Sequence, residues 1–269
     1  MKLYLAGNVP REWKGDLFKD ANILQSFYYQ NEHIKKEIIP NCKNFLLDSG
    51  AFTFMSSGKE VNWKDYIDKY CDFVIENKIK NYFELDIDSI VGFENVLKIR
   101  NYLEQRTGVK PIPVWHKKRG LQRFEEDSKN YPYVAIGGIV TKEIKPDEYP
   151  AFSKLIKIAH SNGAKIHGLG FTNLKGIQIY HFDSVDSTSW LSGSRFGGVF
   201  YFDGKTIKKI DKPPNKRMSK DSRIHNYEEW KKFGFYVEKH CRKVRIPHEK
   251  NQFKTRNSIN SLIRNLLFN

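Results

Sequence analysis

Cysteine is scarce in this chain, and what there is does not pair. Cys42, Cys71 and Cys241 are the only three among 269 residues, and no CxxC occurs. That excludes a disulfide framework and a cysteine-rich zinc site, and it points to a reducing compartment. Long apolar runs are missing as well. No stretch approaches the roughly 20 residues of a membrane span, and Met1–Gly7 is too short for the apolar core of a signal peptide. The expectation is a soluble protein of the cytoplasm with no membrane partner. There is no internal repeat, no low-complexity tract and no Rossmann glycine fingerprint. Acidic residues are in deficit: 31 Asp and Glu against 46 Lys and Arg give a formal charge of +15. Such a surface collects polyanions by releasing their counterions, so nucleic acid is the expected partner. Plain solubility is the competing account of the charge.

What is present is an alternation of short apolar runs with helical stretches. LYLAG (Leu3–Gly7) and NFLLDSGAF (Asn44–Phe52) read as strands. Trp63, Tyr66, Ile67, Tyr70, Cys71, Val74 and Ile75 then follow at helical spacing on one face. NYFELDID (Asn81–Asp88), KPIPVWH (Lys110–His116), YVAIGGIV (Tyr133–Val140), AKIHGLGF (Ala164–Phe171) and HFDSVDS (His181–Ser187) read as further strands, with helices between them. Six or seven strand–helix units imply a parallel α/β sheet, and their number predicts a closed (β/α)8 TIM barrel over residues 1–210. Past the last strand, GGVFYFDGKTIKKI carries a DG turn between β-rich arms, a hairpin signal. Residues 211–269 read as a basic C-terminal helical extension packed on the barrel, with helices near Tyr227–His240 and Ile259–Phe268.

Polar residues gather where the strands end. Asp48 and Ser49 end the second strand, Asp86 and Asp88 the third, and His116 the fourth. Gly137 and Gly138 end the fifth, His167 and Gly168 the sixth, Asp183 and Asp186 the seventh. In a barrel those ends meet at one mouth, where such enzymes keep their active site. Crowded carboxylates separate their acidities and so divide acid, base and nucleophile roles. A single strand-end aspartate also serves as an ordinary cap, and a lone histidine as an ordinary hydrogen-bonding residue.

DSGAF, IGGIV, HGLG and FDSVDS, in that order, resemble the tRNA-guanine transglycosylases over roughly Asn44–Gly198. VDSTSWLSGSRFG is similar to the phage and bacterial DpdA-type branch, which inserts 7-deazaguanine bases into DNA. The tRNA enzymes follow their barrel with a CxCxxC…H zinc module, and nothing after Gly198 supplies it, Cys241 being alone. The resemblance therefore implies a TIM barrel without the zinc-binding module. It implies a pentosyltransferase that exchanges guanine in DNA for a 7-deazaguanine such as preQ0 or a derivative, with no metal and no cofactor. The cytoplasm would be that of the host cell for a phage-encoded chain.

The resemblance also assigns roles. Asp48 is the general acid/base. The nucleophile pattern fits either Asp183 or Asp186, and the nine-residue spacing to Arg195 favours Asp186, with Asp183 in support. Asp86 reads the base edge, with Asp88 beside it; Ser49, Phe52, His116, Gly137, Gly138, His167 and Gly168 complete the base site, His167 standing where the family stacks a methionine. Arg195, Lys208 and Lys209 are the candidates for phosphate, Lys212, Lys216 and Arg217 lie in the same basic segment, and the target guanosine has to be flipped out of a duplex. Two enzymatic alternatives share these residues: a tRNA-guanine transglycosylase, and a metal-dependent barrel hydrolase built on Asp48, Asp86, Asp88, His116 and His167. A non-catalytic nucleic-acid-binding module explains the charge but not the row of aspartates.

Overall fold

The computed structural model describes residues 1–51, 53–54, 61–193, 198–210 and 220–240. Along the chain come β1 (Lys2–Ala6), α1 (Gly15–Phe18), β2 (Asn22–Ser26), β3 (Asn44–Asp48), α2 (Trp63–Glu76), α3 (Asp88–Val91) and α4 (Phe93–Thr107). Then follow β4 (Val114–Trp115), α5 (Gly120–Asn130), β5 (Tyr133–Ile136), α6 (Phe152–Ser161), β6 (Lys165–Gly168), α7 (Leu174–Ile179) and β7 (Ser184–Ser187). The hairpin β8 (Val199–Phe202) and β9 (Ile207–Ile210) and the helix α8 (Lys220–His240) complete the order. Seven strands form one parallel sheet in the order β3-β2-β1-β7-β6-β5-β4, the α/β architecture that the alternation of elements requires.

The closed eight-stranded barrel expected from the sequence is not what forms: the sheet has seven strands, and β3 and β4 are its ends. The stretch 81–88 contributes two isolated parallel bridges, Leu47 with Tyr82 and Phe83 with Ile112, in place of a strand. Pro111 and Pro113 lack the N–H that a ladder needs, which leaves β4 only two residues long. The Val114 N–H finds its acceptor in the Glu84 side chain at 2.8 Å instead of in a backbone carbonyl. Beyond Leu85 the chain turns, with the Ile87 N–H donating to the Leu85 carbonyl at 3.0 Å, and Asp88 opens α3.

The chain divides into two compact units, Tyr4–Val114 and Met1–Leu3 with the residues from Trp115 on. In the first, α2 is capped by Asn62, whose side chain accepts from the Asp65 N–H, and it buries Ile67, Tyr70, Cys71, Phe73 and Val74. Ile75, expected in the apolar stripe, is exposed, and Phe73 takes its place in the core. In the second, Val134, Ile166 and Val185 are buried on one face of β5, β6 and β7. Strand alternation puts Tyr133, His167, Ser184 and Asp186 on the other face. The DG turn closes as expected: Asp203 Oδ1 accepts from the Lys205 and Thr206 N–H groups, and β8 pairs antiparallel with β9. Helix α8 packs on this hairpin, with Asn226 Oδ1 accepting from the Phe200 N–H at 2.8 Å and Glu229 Oε2 from the Phe202 N–H at 2.7 Å. The chain on either side of residue 210 thus shares one packed layer, while the tail helix expected at 259–268 and Cys241 lie outside the described residues. No helix among the described residues is long and apolar enough to cross a membrane.

Candidate active site

Asp186 is the best-organised of the sequence-predicted residues. It sits on β7, 6% exposed, and its Oδ1 accepts two hydrogen bonds: from His167 Nε2 at 3.0 Å and from the Gly170 N–H at 2.6 Å. Its Oδ2 takes no hydrogen bond from the described residues, and it is not among the side-chain atoms sealed from solvent without a partner. His167 is fully buried, and its Nδ1 meets Ser184 Oγ, which also meets the Tyr133 hydroxyl. One order of protons satisfies every group: Tyr133 donates to Ser184, Ser184 to His167 Nδ1, and His167 Nε2–H to Asp186. A buried polar chain is tolerable only when it is satisfied in this way, and it then fixes its terminal group firmly. His167 was expected to stack on a base. With its ring buried and both nitrogens engaged, it positions Asp186 instead.

Asp183 is placed differently from expectation. It precedes β7, at the end opposite Ser187, where its carbonyl accepts from the Lys2 N–H at 2.8 Å. Its Oδ2 meets His160 Nε2 at 2.9 Å and the Ile166 N–H at 2.9 Å. Burial raises the Asp183 carboxyl, but the bonds from His160 and Ile166 outweigh it and hold the group below its ordinary value. The hydrogen bond to Asp183 in turn raises His160 against the effect of its own burial.

The pH dependence of that pair follows from the two directions. The raised His160 contributes fully below its ordinary 6.5 and loses its effect as pH climbs through the folded value, while the lowered Asp183 contributes fully above its ordinary 3.8 and loses its effect as pH falls. Both groups are half-exposed, so the effect is small. The difference in urea midpoint between wild type and His160→Gln is therefore expected to peak near pH 5 and shrink above pH 7. An equal difference at pH 5 and pH 8 would show that the pair adds no charge-dependent stability.

His116 follows β4 and pairs with a residue that the sequence left unremarked: its Nδ1 lies 2.8 Å from Glu143 Oε2, and Glu143 Oε1 accepts from the Lys118 N–H at 3.2 Å. Burial raises Glu143, but the bond and charge of His116 and the Lys118 N–H bring it below its ordinary value. Gly138 adopts φ +77°, and a Cβ there would lie 2.8 Å from Glu143 Oε2, so glycine is required both by the backbone and by the approach of Glu143. The Gly137 N–H donates to the Trp115 carbonyl at 2.8 Å, which removes it from the expected set of base-edge donors. Gly168 is also a packing position: a Cβ would meet Phe171, Phe182 and Val185 on the apolar face.

In the unit Tyr4–Val114, Asp48 ends β3 in register with Ser26, and its Oδ2 accepts from the Gly50 N–H at 3.0 Å. Gly50 has φ +81°, and a Cβ would fall 2.8 Å from Tyr28 Cβ, which accounts for the glycine of DSGAF. Ser49 is buried, and its carbonyl accepts from the Tyr66 hydroxyl at 2.6 Å. Burial, and after it the charge of Asp48, pushes the Tyr66 and Tyr70 hydroxyls far above their ordinary values. Asp86 is half-buried in the turn after Leu85. Asp88 does not share its direction by strand alternation, because no strand runs there; it is the first residue of α3.

No family model matches the chain, and no curated protein does.

The remaining predicted residues concern phosphate. Lys208 and Lys209 are exposed on β9, with Lys208 Nζ 3.9 Å from Asp203 Oδ2. Phe52, Arg195, Lys212, Lys216 and Arg217 lie outside the described residues. Among the described residues no group of three or more His, Cys, Asp or Glu side chains is placed to hold a metal ion. Beyond the predicted set, the structure adds Glu143, Ser184, Tyr133, Gly170 and His160. Only Ser184 had a sequence signal, since it stands two residues from Asp186 and hence on the same strand face.

Proposed function

We propose that the protein is a DNA-guanine transglycosylase, with Asp186 as nucleophile. One observation carries this above the others: a buried carboxylate has one oxygen held by a histidine and a backbone N–H while the other takes no bond from the described residues. A carboxylate fixed in this manner is suited to attack along one line. In the proposed reaction Oδ2 bonds to the C1′ of an extruded guanosine as the C1′–N9 bond breaks, and guanine leaves with a proton from a general acid. The N9 of a 7-deazaguanine then loses its proton to the same group and attacks C1′, releasing the aspartate. Two displacements retain configuration at C1′. The resemblance assigns the acid/base role to Asp48 and base reading to Asp86 and His116.

The charge of +15 supports a nucleic-acid substrate and does not choose between DNA and tRNA. DNA is preferred on the VDSTSWLSGSRFG segment. The hydrolase alternative has no convergent donor set among the described residues.

The deciding assay is release of radiolabelled guanine from DNA and from tRNA in parallel, driven by a panel of 7-deazaguanines, with and without chelator. Release from DNA that persists in chelator is the expected result. Release from tRNA alone would transfer the proposal to the RNA substrate, and release from neither would end it.

A further inference from the structure

A cavity of about 300 Å³ lies in the unit that carries Asp186, walled by residues of α7, β8, β9 and α8 and of the connections before α7 and after β7. Phe200, Ile207 and Trp230 give it an apolar side, Ser189, Ser192 and Thr172 bring hydroxyls, and Lys209 brings a cation. No carboxylate is among the described residues that line it. Trp230 is 2% exposed and its indole nitrogen is sealed from solvent, so it is the ring that borders the cavity. Among its described residues the wall is thus apolar and aromatic on one side, carries hydroxyls and one cation, and holds no acidic group. Those features suit a planar heterocycle that carries acceptors and is joined to a phosphate. The volume is at the small end for ligand pockets, which fits one nucleotide and not a longer segment.

The position of the cavity narrows the choice. Ser189 stands only three residues beyond Asp186, a chain distance of at most about 11 Å. A strand that presents one nucleotide to Asp186 has its neighbours within that range. We propose that this cavity receives the base of a nucleotide adjacent to the reacting one, with Lys209 facing the intervening phosphate. The proposal rests on the DNA-transglycosylase reading, and it makes the cavity the source of preference for the base beside the target.

The test uses the full chain and single-stranded DNA heptanucleotides with a central guanosine, either intact or with an abasic site immediately 5′ or 3′ of it. Affinities are measured by fluorescence anisotropy, and guanine release is followed on the same oligonucleotides. The intact strand is expected to bind about tenfold more tightly than one of the two abasic strands, the scale of losing one base contact. The combined Ser189→Ala, Lys209→Ala variant is expected to erase that difference. Trp230→Phe shortens the aromatic wall and is expected to reduce the difference; the surface double variant carries the test should Trp230→Phe fail to fold.

Equal binding of all three strands, or a difference that survives in the double variant, overturns the proposal. Guanine release with no neighbour effect defeats the cavity assignment alone. A neighbour effect without release from any strand keeps the cavity as a nucleotide site and defeats the transglycosylase reading. Failure to bind any of the strands defeats both.

Discussion

Asp186→Asn is expected to reduce guanine exchange by a factor on the order of 10⁴ or more, the scale on which loss of a covalent nucleophile is felt. The substitution keeps the size of the side chain, so the fold should survive, and a circular dichroism spectrum and urea midpoint close to wild type would confirm that it has. An amide at this position still accepts at Oδ1 from His167 and from the Gly170 N–H. What it loses is the anionic oxygen on the other side. His167→Gln should act through the same atom at a distance: it removes the ring that orients Oδ1 and leaves the carboxylate in place, so kcat falls less than in Asp186→Asn while KM stays near wild type. Trapping supplies a second readout. If the proposed reaction holds, wild-type protein quenched during turnover should carry DNA through an ester bond that survives denaturation, and Asp186→Asn should carry none. Trapped ester in Asp186→Asn, or full activity in it, would remove Asp186 from the nucleophile role. Asp183→Asn serves as the control. Its carboxylate is tied to His160 and the Ile166 N–H, so it should lose stability with little loss of exchange.

The distinction between the two aspartates was partly legible in HFDSVDS. Residues three apart in a strand point to opposite faces, so Asp183 and Asp186 were never able to share one side of β7, whereas Ser184 and Asp186 had to. What the sequence did not reveal is where the strand begins. Phe182 is as apolar as Val185, and only the pairing of the Asp183 carbonyl with Lys2 and of its carboxylate with α6 shows that Asp183 lies at the start. His167 illustrates a different limit. HGLG places a histidine at the end of β6, but its partners Ser184 and Asp186 come from another strand, seventeen and nineteen residues on. The third expected strand failed for a local reason. YFELDID has strand alternation and Ile112 bonds to Tyr82 and Glu84, but the next N–H on that edge, that of Val114, goes to the Glu84 side chain instead of a backbone carbonyl, and the ladder stops there. The alternation of strands and helices survived, because apolar periodicity depends on burial and not on which partner is found, but the order changed: β2 (Asn22–Ser26), not expected from the sequence, lies between β1 and β3 in the sheet, and 81–88 is not a strand.

Glu84 and Arg100 show what replaces that ladder, and they carry the largest stability effect expected here. Glu84 is fully buried and Arg100 is 1% exposed. Glu84 Oε2 accepts from Arg100 Nε on α4 at 2.6 Å, and Oε1 accepts from the Val114 N–H at 2.8 Å. One carboxylate thus ties the irregular segment 81–84 both to a helix and to the first residue of β4. Arg100→Ala leaves a buried carboxylate without its cation and is expected to cost about 3–5 kcal/mol in chemical denaturation. Glu84→Ala is expected to cost a similar amount, because it strands the guanidinium and deprives the Val114 N–H of its acceptor. The pair as a unit is worth much less than either loss implies, since removing both ions also removes both desolvation penalties. The double variant Glu84→Leu, Arg100→Met should therefore lie closer to wild type than Arg100→Ala does, short of it by roughly the 1–3 kcal/mol of one unsatisfied buried N–H at Val114. If Arg100→Ala changed the denaturation midpoint by less than a surface substitution does, the ion pair would not be what holds this segment. If the double variant lost as much as the sum of the singles, the two residues would act independently, and the short β4 would owe its place to its apolar contacts alone.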